Sequence, residues 1–119
     1  MKPRGSLLLV DDDRQVLSSM ADWLRSQAYE VDTAMGFLEG KERINRKAYD
    51  VAILDIRLGD DDGFDLLTYC RQRRPATTVI MITGYGTVES AVEAIRMGAF
   101  DFLTKPLIDD ELQMALERA

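Results

Sequence analysis

Val51-Ala52-Ile53-Leu54 runs four apolar residues without interruption and stops at Asp55-Ile56-Arg57. A strand with one wet face alternates apolar and polar residues, so a continuous run of this length suits a strand covered on both faces. Two more runs have the same form: Leu7-Leu8-Leu9-Val10 before Asp11, and Val79-Ile80-Met81-Ile82 before Thr83. Phe100-Asp101-Phe102-Leu103 reads as a further strand, and the alternating Tyr29-Glu30-Val31-Asp32-Thr33 as an edge strand. The segments between them carry helical spacing. Val16, Leu17, Met20, Trp23 and Leu24 form one apolar face; Phe64, Leu67 and Cys70, flanked by Leu66, a second; Val88, Val92 and Ile95 a third; Leu112 and Leu116 a fourth. Phe37, Leu38 and Ile44 suggest one more helix, which Gly36 and Gly40 weaken. Strand and helix therefore alternate five times. Consecutive parallel strands need a crossover, so this order predicts an α/β domain with a parallel sheet and helices on both faces.

Composition narrows the chemistry. The chain has 119 residues, one domain's worth, with 46% hydrophobic and 30% charged residues. No apolar stretch is long enough to span a bilayer, and the short apolar run after the basic N-terminus is no secretory signal. One cysteine, Cys70, forms no internal disulfide, which favours a reducing, cytoplasmic setting. A formal net charge of −6 repels phosphate backbones and argues against nucleic-acid binding by this domain. With no histidine, the commonest general bases, triads and zinc sites are excluded. What remains is chemistry built from carboxylates, hydroxyls, lysine and a hard metal.

Sheets of this kind gather their functional groups at the carboxyl ends of the strands. Here the first strand ends in Asp11-Asp12-Asp13, the third in Asp55, the fourth in Thr83-Gly84, and the fifth is followed by Lys105-Pro106. Two carboxylates about 5 Å apart repel by roughly 3 kcal/mol at an effective dielectric near 20. Lys105 relieves part of this, and a hard cation with oxygen ligands relieves the rest. Mg²⁺, which keeps several waters in small carboxylate sites, suits that role.

These motifs, Leu8-Leu9-Val10-Asp11-Asp12-Asp13, Ile53-Leu54-Asp55-Ile56-Arg57, Ile82-Thr83-Gly84 and Phe102-Leu103-Thr104-Lys105-Pro106, resemble the receiver domain of two-component response regulators. The resemblance covers the chain from about Ser6 to Ala119, with all motifs in order. The segment from Thr83 to Pro106 is further similar to receivers that precede AAA+ modules in sigma-54-dependent activators. The resemblance implies a flavodoxin-like, doubly wound, five-stranded parallel sheet in strand order 2-1-3-4-5 with five helices. It implies that residues 1–119 are one receiver domain, with an output domain of the same polypeptide lying outside this chain. It also implies that Asp55 accepts a phosphoryl group from a sensor histidine kinase. Asp12, Asp55 and the backbone carbonyl of Arg57 would bind Mg²⁺ or Mn²⁺ directly, and Asp11 through a coordinated water. Lys105 and the Thr83 hydroxyl would contact phosphoryl oxygens. Thr83 and Phe102 would form the switch, remodelling a surface of the fourth helix, fifth strand and fifth helix that pairs two copies. Such a domain is a phosphoacceptor with self-catalysed phosphorylation and dephosphorylation only, not an enzyme acting on other substrates.

The sequence also departs from the family. A proline usually stands four residues after the phosphoacceptor, where this chain has Gly59, followed by Asp60-Asp61-Asp62-Gly63. Without proline the loop is expected to be more mobile. Arg57 and Tyr85 occupy positions that tune dephosphorylation, and their bulk predicts a long-lived acyl phosphate. The bond before Pro106 is expected to be cis, as in the family. Plainer readings apply elsewhere. Asp13 reads as a helix cap, Asp60 to Asp62 as a solvated loop, and Asp109-Asp110-Glu111 as the acidic first turn of the last helix. Trp23 and Cys70 read as packing residues, and Phe102 alone would pass for core. The rivals are a pseudo-receiver that binds partners without phosphorylation and an aspartate-nucleophile phosphatase. The second would need an acid where Arg57 stands. A flavin-binding domain would want a hydroxyl- and glycine-rich first loop, the opposite of three aspartates.

Overall fold

A computed structural model describes residues 4–84, 86–105 and 109–119, with Asp109 and Asp110 described by their backbone alone. The elements are β1 (Ser6–Val10), α1 (Arg14–Ser26), β2 (Glu30–Ala34), α2 (Phe37–Arg46), β3 (Val51–Asp55), β4 (Arg57–Leu58), β5 (Asp61–Asp62), α3 (Gly63–Arg73), β6 (Thr78–Thr83), α4 (Val88–Arg96), β7 (Asp101–Thr104) and α5 (Asp109–Arg118). Five strands form one parallel sheet in the order β2-β1-β3-β6-β7. Counting that sheet's strands alone, this is the expected order 2-1-3-4-5 of the flavodoxin-like fold. The reversal of direction from β1 places the ends of β1 and β3 side by side, with Val10 opposite Leu54.

The continuous apolar runs are continuous because each strand serves two cores. Leu8, Val10, Ala52, Leu54, Val79 and Met81 face one layer, with Ile44 of α2, Leu66, Leu67 and Cys70 of α3 and Ala94 of α4. Leu7, Leu9, Ile53, Ile80 and Ile82 face the other, with Leu17, Ala21 and Leu24 of α1 and Leu112, Ala115 and Leu116 of α5. Alternate side chains point to opposite faces of a strand, so a run of four supplies two residues to each layer.

Several expectations are corrected here. The last strand begins at Asp101, and Phe100 lies before it, 46% exposed. The edge strand likewise begins at Glu30 rather than Tyr29. The acidic loop after Asp55 is a small antiparallel hairpin: Arg57 pairs with Asp62 and Leu58 with Asp61. Leu58, 3% exposed, roots the hairpin in the core, and the Asp62 side chain caps α3 by accepting from the Phe64 N–H. The α2 helix forms despite its glycines. Gly40 is buried against Val10 and Leu66, where a Cβ would come within 2.9 Å of Leu66 Cδ2, so its absence allows close packing. The apolar face expected on α4 is present but turned outward. Val88, Val92 and Ile95 are 81%, 50% and 51% exposed, and Ala94 is the helix's buried residue. Among the described residues no helix is long and apolar enough to cross a membrane.

Candidate functional site

Asp11 follows β1 directly and Asp55 closes β3, and both are buried although charged, at 2% and 4% exposure. The two are held in the same way. Each accepts, through one carboxylate oxygen, from the backbone N–H two residues on: the Asp13 N–H donates to Asp11 Oδ1 at 3.0 Å and the Arg57 N–H to Asp55 Oδ1 at 3.3 Å. This local turn is the one that aspartate side chains favour. Each accepts from the same ammonium through its other oxygen: Lys105 Nζ donates to Asp11 Oδ2 at 2.8 Å and to Asp55 Oδ2 at 2.9 Å. Lys105 reaches them because its own N–H extends the β6–β7 ladder, donating to the Thr83 carbonyl at 2.8 Å.

Burial pushes the Asp55 carboxyl up to about 6, with the Lys105 bond pulling against that shift and the Asp11 charge adding to it. Burial pulls Lys105 down, but its bonds to Asp11 and Asp55 outweigh this and hold the ammonium above its ordinary value. The site therefore contains an acid that resists ionisation and a cation locked in its charged form.

Asp12 completes the cluster from the exposed side. Oxygen atoms of Asp11, Asp12 and Asp55 lie within 4.8 Å of one another. Three converging carboxylates, two of them buried, fit a small divalent cation that retains waters in its remaining positions. Arg57 is exposed and lies in β4 immediately after this corner. Asp13 stands apart as the N-cap of α1, its carboxylate accepting from the N–H groups of Gln15 and Val16.

Thr83 ends β6, 2% exposed, one residue beyond Ile82, which pairs with Asp55. Phe102 lies in β7, half-buried, paired with Met81. The two converge on Gly86, where a Cβ would stand 3.4 Å from Thr83 Cγ2 and 3.2 Å from Phe102 Cε1. Trp23 and Cys70 are packing residues, and burial pushes the Cys70 thiol up to about 11, which keeps it unreactive. Tyr85 and Pro106 lie outside the described residues.

Three glycines matter here, of which the sequence had singled out only Gly59, as a departure from the family's proline. Gly86 packs so closely on β7 that a Cβ would overlap Thr104 Cγ2, at 2.5 Å. Gly63 lies so close to the Asp55 carbonyl and Ile56 Cα that a Cβ would overlap them, and its N–H donates to the Ile56 carbonyl at 2.6 Å. Gly59, at φ +65°, donates its N–H to Asp12 Oδ2 at 3.0 Å. For Gly63 and Gly86 the only sign in the sequence is that glycines follow Asp55 and Thr83 at short distance.

Residues 7–117 match the family model described as the response regulator receiver domain. The chain is 36% identical over 112 residues to the alginate biosynthesis transcriptional regulatory protein AlgB of Pseudomonas putida, covering 94% of this chain and 25% of that one. It thus spans about a quarter of that relative's length. Among solved structures it is similar to a response regulator protein from Burkholderia pseudomallei with a phosphorylated aspartic acid, calcium ion and citrate. That likeness has TM-score 0.89 and 26% identity, over 93% of this chain and 65% of that one. It is also similar to the beryllofluoride-activated NtrC4 receiver domain dimer, with TM-score 0.89 and 33% identity, over 95% of this chain and 93% of that one.

Proposed function

This chain belongs to the response regulator receiver family, and from that membership we propose that it is a switch that accepts a phosphoryl group on Asp55 in a Mg²⁺-dependent reaction. The observation that carries the reading is the ammonium of Lys105 bound at once to Asp11 and Asp55, residues 94 and 50 positions away, beside the carboxylate of Asp12. A structural ion pair needs one acid. Two further acids beside a buried nucleophilic carboxylate suit a metal-assisted site for a transferring group that brings its own negative charge.

In the proposed reaction an Asp55 carboxylate oxygen attacks phosphorus while the phosphorus–nitrogen bond of a phosphohistidine donor breaks. The imidazole nitrogen leaves with the electron pair, and an acyl phosphate remains. Asp12, Asp55 and the Arg57 carbonyl would hold the metal, with Asp11 acting through a water; bound there, Mg²⁺ would offset charge on the phosphoryl oxygens. Lys105 would exchange its Asp55 contact for a phosphoryl oxygen. The Thr83 hydroxyl would take another, drawing Thr83 toward the phosphoryl group, and Phe102 would turn inward to fill the space that Thr83 vacates. A differential affinity of a few kcal/mol between the two packings is enough to invert their populations.

The readout we assign is the face of α4, β7 and α5. Val88, Val92, Ile95 and Met114 expose apolar surface there, which supports pairing of two copies after phosphorylation. A sensor histidine kinase as donor, an output domain in the same polypeptide acting on transcription, and a cytoplasmic setting complete the proposal. In this reading the domain turns over only its own phosphoryl group, and Arg57 at the mouth of the site slows attack by water. Incubation with Mg²⁺ and acetyl phosphate, followed by intact mass, tests the reading. The expected result is a gain of one phosphoryl group, absent in Asp55→Asn and absent when the metal is chelated. An unchanged mass would favour a pseudo-receiver that binds partners without phosphorylation.

A further inference from the structure

Asp12 differs from its neighbours in the acidic cluster. Asp11 and Asp55 are buried and doubly held, whereas Asp12 is exposed on the loop before α1. An exposed aspartate samples several rotamers, and ordering it has an entropic cost that weakens any ligand it serves. The structure holds it by an unusual donor, the backbone N–H of Gly59, which meets Asp12 Oδ2 at 3.0 Å from 47 positions away.

We propose that Gly59 is a positioning residue for the metal site, its amide fixing the Asp12 carboxylate so that the β4–β5 hairpin and metal ligation are coupled. The inference rests on the reading of Asp11, Asp12 and Asp55 as a cation site. The hairpin is built to present this amide. Leu58 pairs with Asp61, so Gly59 and Asp60 form a two-residue turn. Its first residue takes φ +65°, a position where two-residue hairpins favour glycine. Buried Leu58 anchors the strand before it. A carboxylate has about four acceptor positions, so one bond to an amide is compatible with ligation through the rest. A hydrogen bond to a ligating carboxylate orients it, and loss of such a partner typically weakens metal binding by about 10- to 100-fold. The same hairpin begins at Arg57, whose carbonyl is the proposed backbone ligand, so one small element would contribute one ligand and hold another. Proline at position 59 would have neither the N–H nor access to φ +65°. In this chain glycine therefore fills a role that the family's usual proline cannot perform in this way.

Calorimetric titration of the purified chain with Mg²⁺ tests the proposal without any phosphoryl transfer. Gly59→Asn keeps the N–H and tolerates the left-handed turn, so its affinity should stay within about twofold of wild type. Gly59→Pro should bind roughly tenfold more weakly. Because Gly59→Pro also perturbs the turn, a second measurement leaves residue 59 intact. In metal-free protein, hydrogen exchange of the Gly59 amide should accelerate in Asp12→Ala while the amides of β3 and β6 keep their protection. Equal Mg²⁺ affinity in Gly59→Pro and wild type, equal losses in Gly59→Pro and Gly59→Asn, or unchanged Gly59 exchange in Asp12→Ala would each overturn the proposal. A wild-type chain that takes up no Mg²⁺ would instead remove the cation reading on which it rests.

Discussion

Helices α3 and α4 flank the same layer and carry similar apolar patterns, yet they end in opposite conditions. On α3, Leu66, Leu67 and Cys70 are 0% exposed. The helix starts at Gly63, which is packed on the backbone of Asp55. On α4 the apolar stripe faces outward, and the helix is held by buried Ala94 and by a capping box in which the side chains of Thr87 and Ser90 bond each other's backbone N–H. One helix is part of the frame that fixes the acid; the other lies lightly on the sheet. A helix with little buried surface costs little to shift, which is the physical condition that the proposed readout on α4 requires.

Substitutions can break this contrast directly. Leu67→Ala should lower unfolding free energy by about 3 kcal/mol, because a fully enclosed side chain leaves a cavity. Val92→Ala should cost less than about 1 kcal/mol, its side chain being half in water already. Urea denaturation of both variants measures the difference, and comparable losses would mean that α4 is as firmly packed as α3.

The next effect sharpens the frame side. Ionised Asp55 is a burden on the fold, because burial raises its carboxyl to about 6 against an ordinary value of 3.8. The native state binds the proton more tightly than the unfolded chain does. The penalty is therefore in force above about pH 6, shrinks as the pH falls, and is gone below the unfolded value. Asp55→Asn should accordingly be more stable than wild type at pH 8 by on the order of 2 kcal/mol. That margin should close near pH 4. Chemical denaturation across this range checks the sign, and a margin that widens toward acid would contradict it.

On the α4 side, Val92→Asp should leave the unphosphorylated fold nearly as stable while abolishing phosphorylation-dependent self-association in sedimentation. Undiminished pairing would move the proposed interface elsewhere. The smallest effect lies away from both helices. Ala28 closes α1 at φ 71°, a conformation disfavoured for residues with a Cβ. Ala28→Gly should therefore raise stability by about 0.5 to 1 kcal/mol, measured by thermal melting.

Much of this architecture was legible in the residues. Four-residue apolar runs in β1, β3 and β6 report strands buried on both faces, and the acids and hydroxyl that end them report polar groups gathered at one sheet edge. Asp13 as a cap and Cys70 as packing also read correctly from their context. The outward stripe of α4 did not, because a 3.6-residue period identifies a face without saying what covers it. The pairing of Asp61 and Asp62 was hidden as well: strand propensity is low for aspartate, and the hairpin is held by its register and by Leu58.

From the sequence by itself followed the alternation of strands and helices, the parallel sheet, and the set of carboxylates, hydroxyl and lysine delivered to one edge. Those follow from side-chain identity and spacing, which the chain displays directly. Tertiary structure alone decided that Lys105 bridges Asp11 and Asp55, that Gly59 lends its amide to Asp12, and that α4 turns its apolar stripe to solvent. A backbone N–H is the same group in nearly every residue, and exposure depends on what the rest of the chain packs against, so both became visible only once the chain had folded.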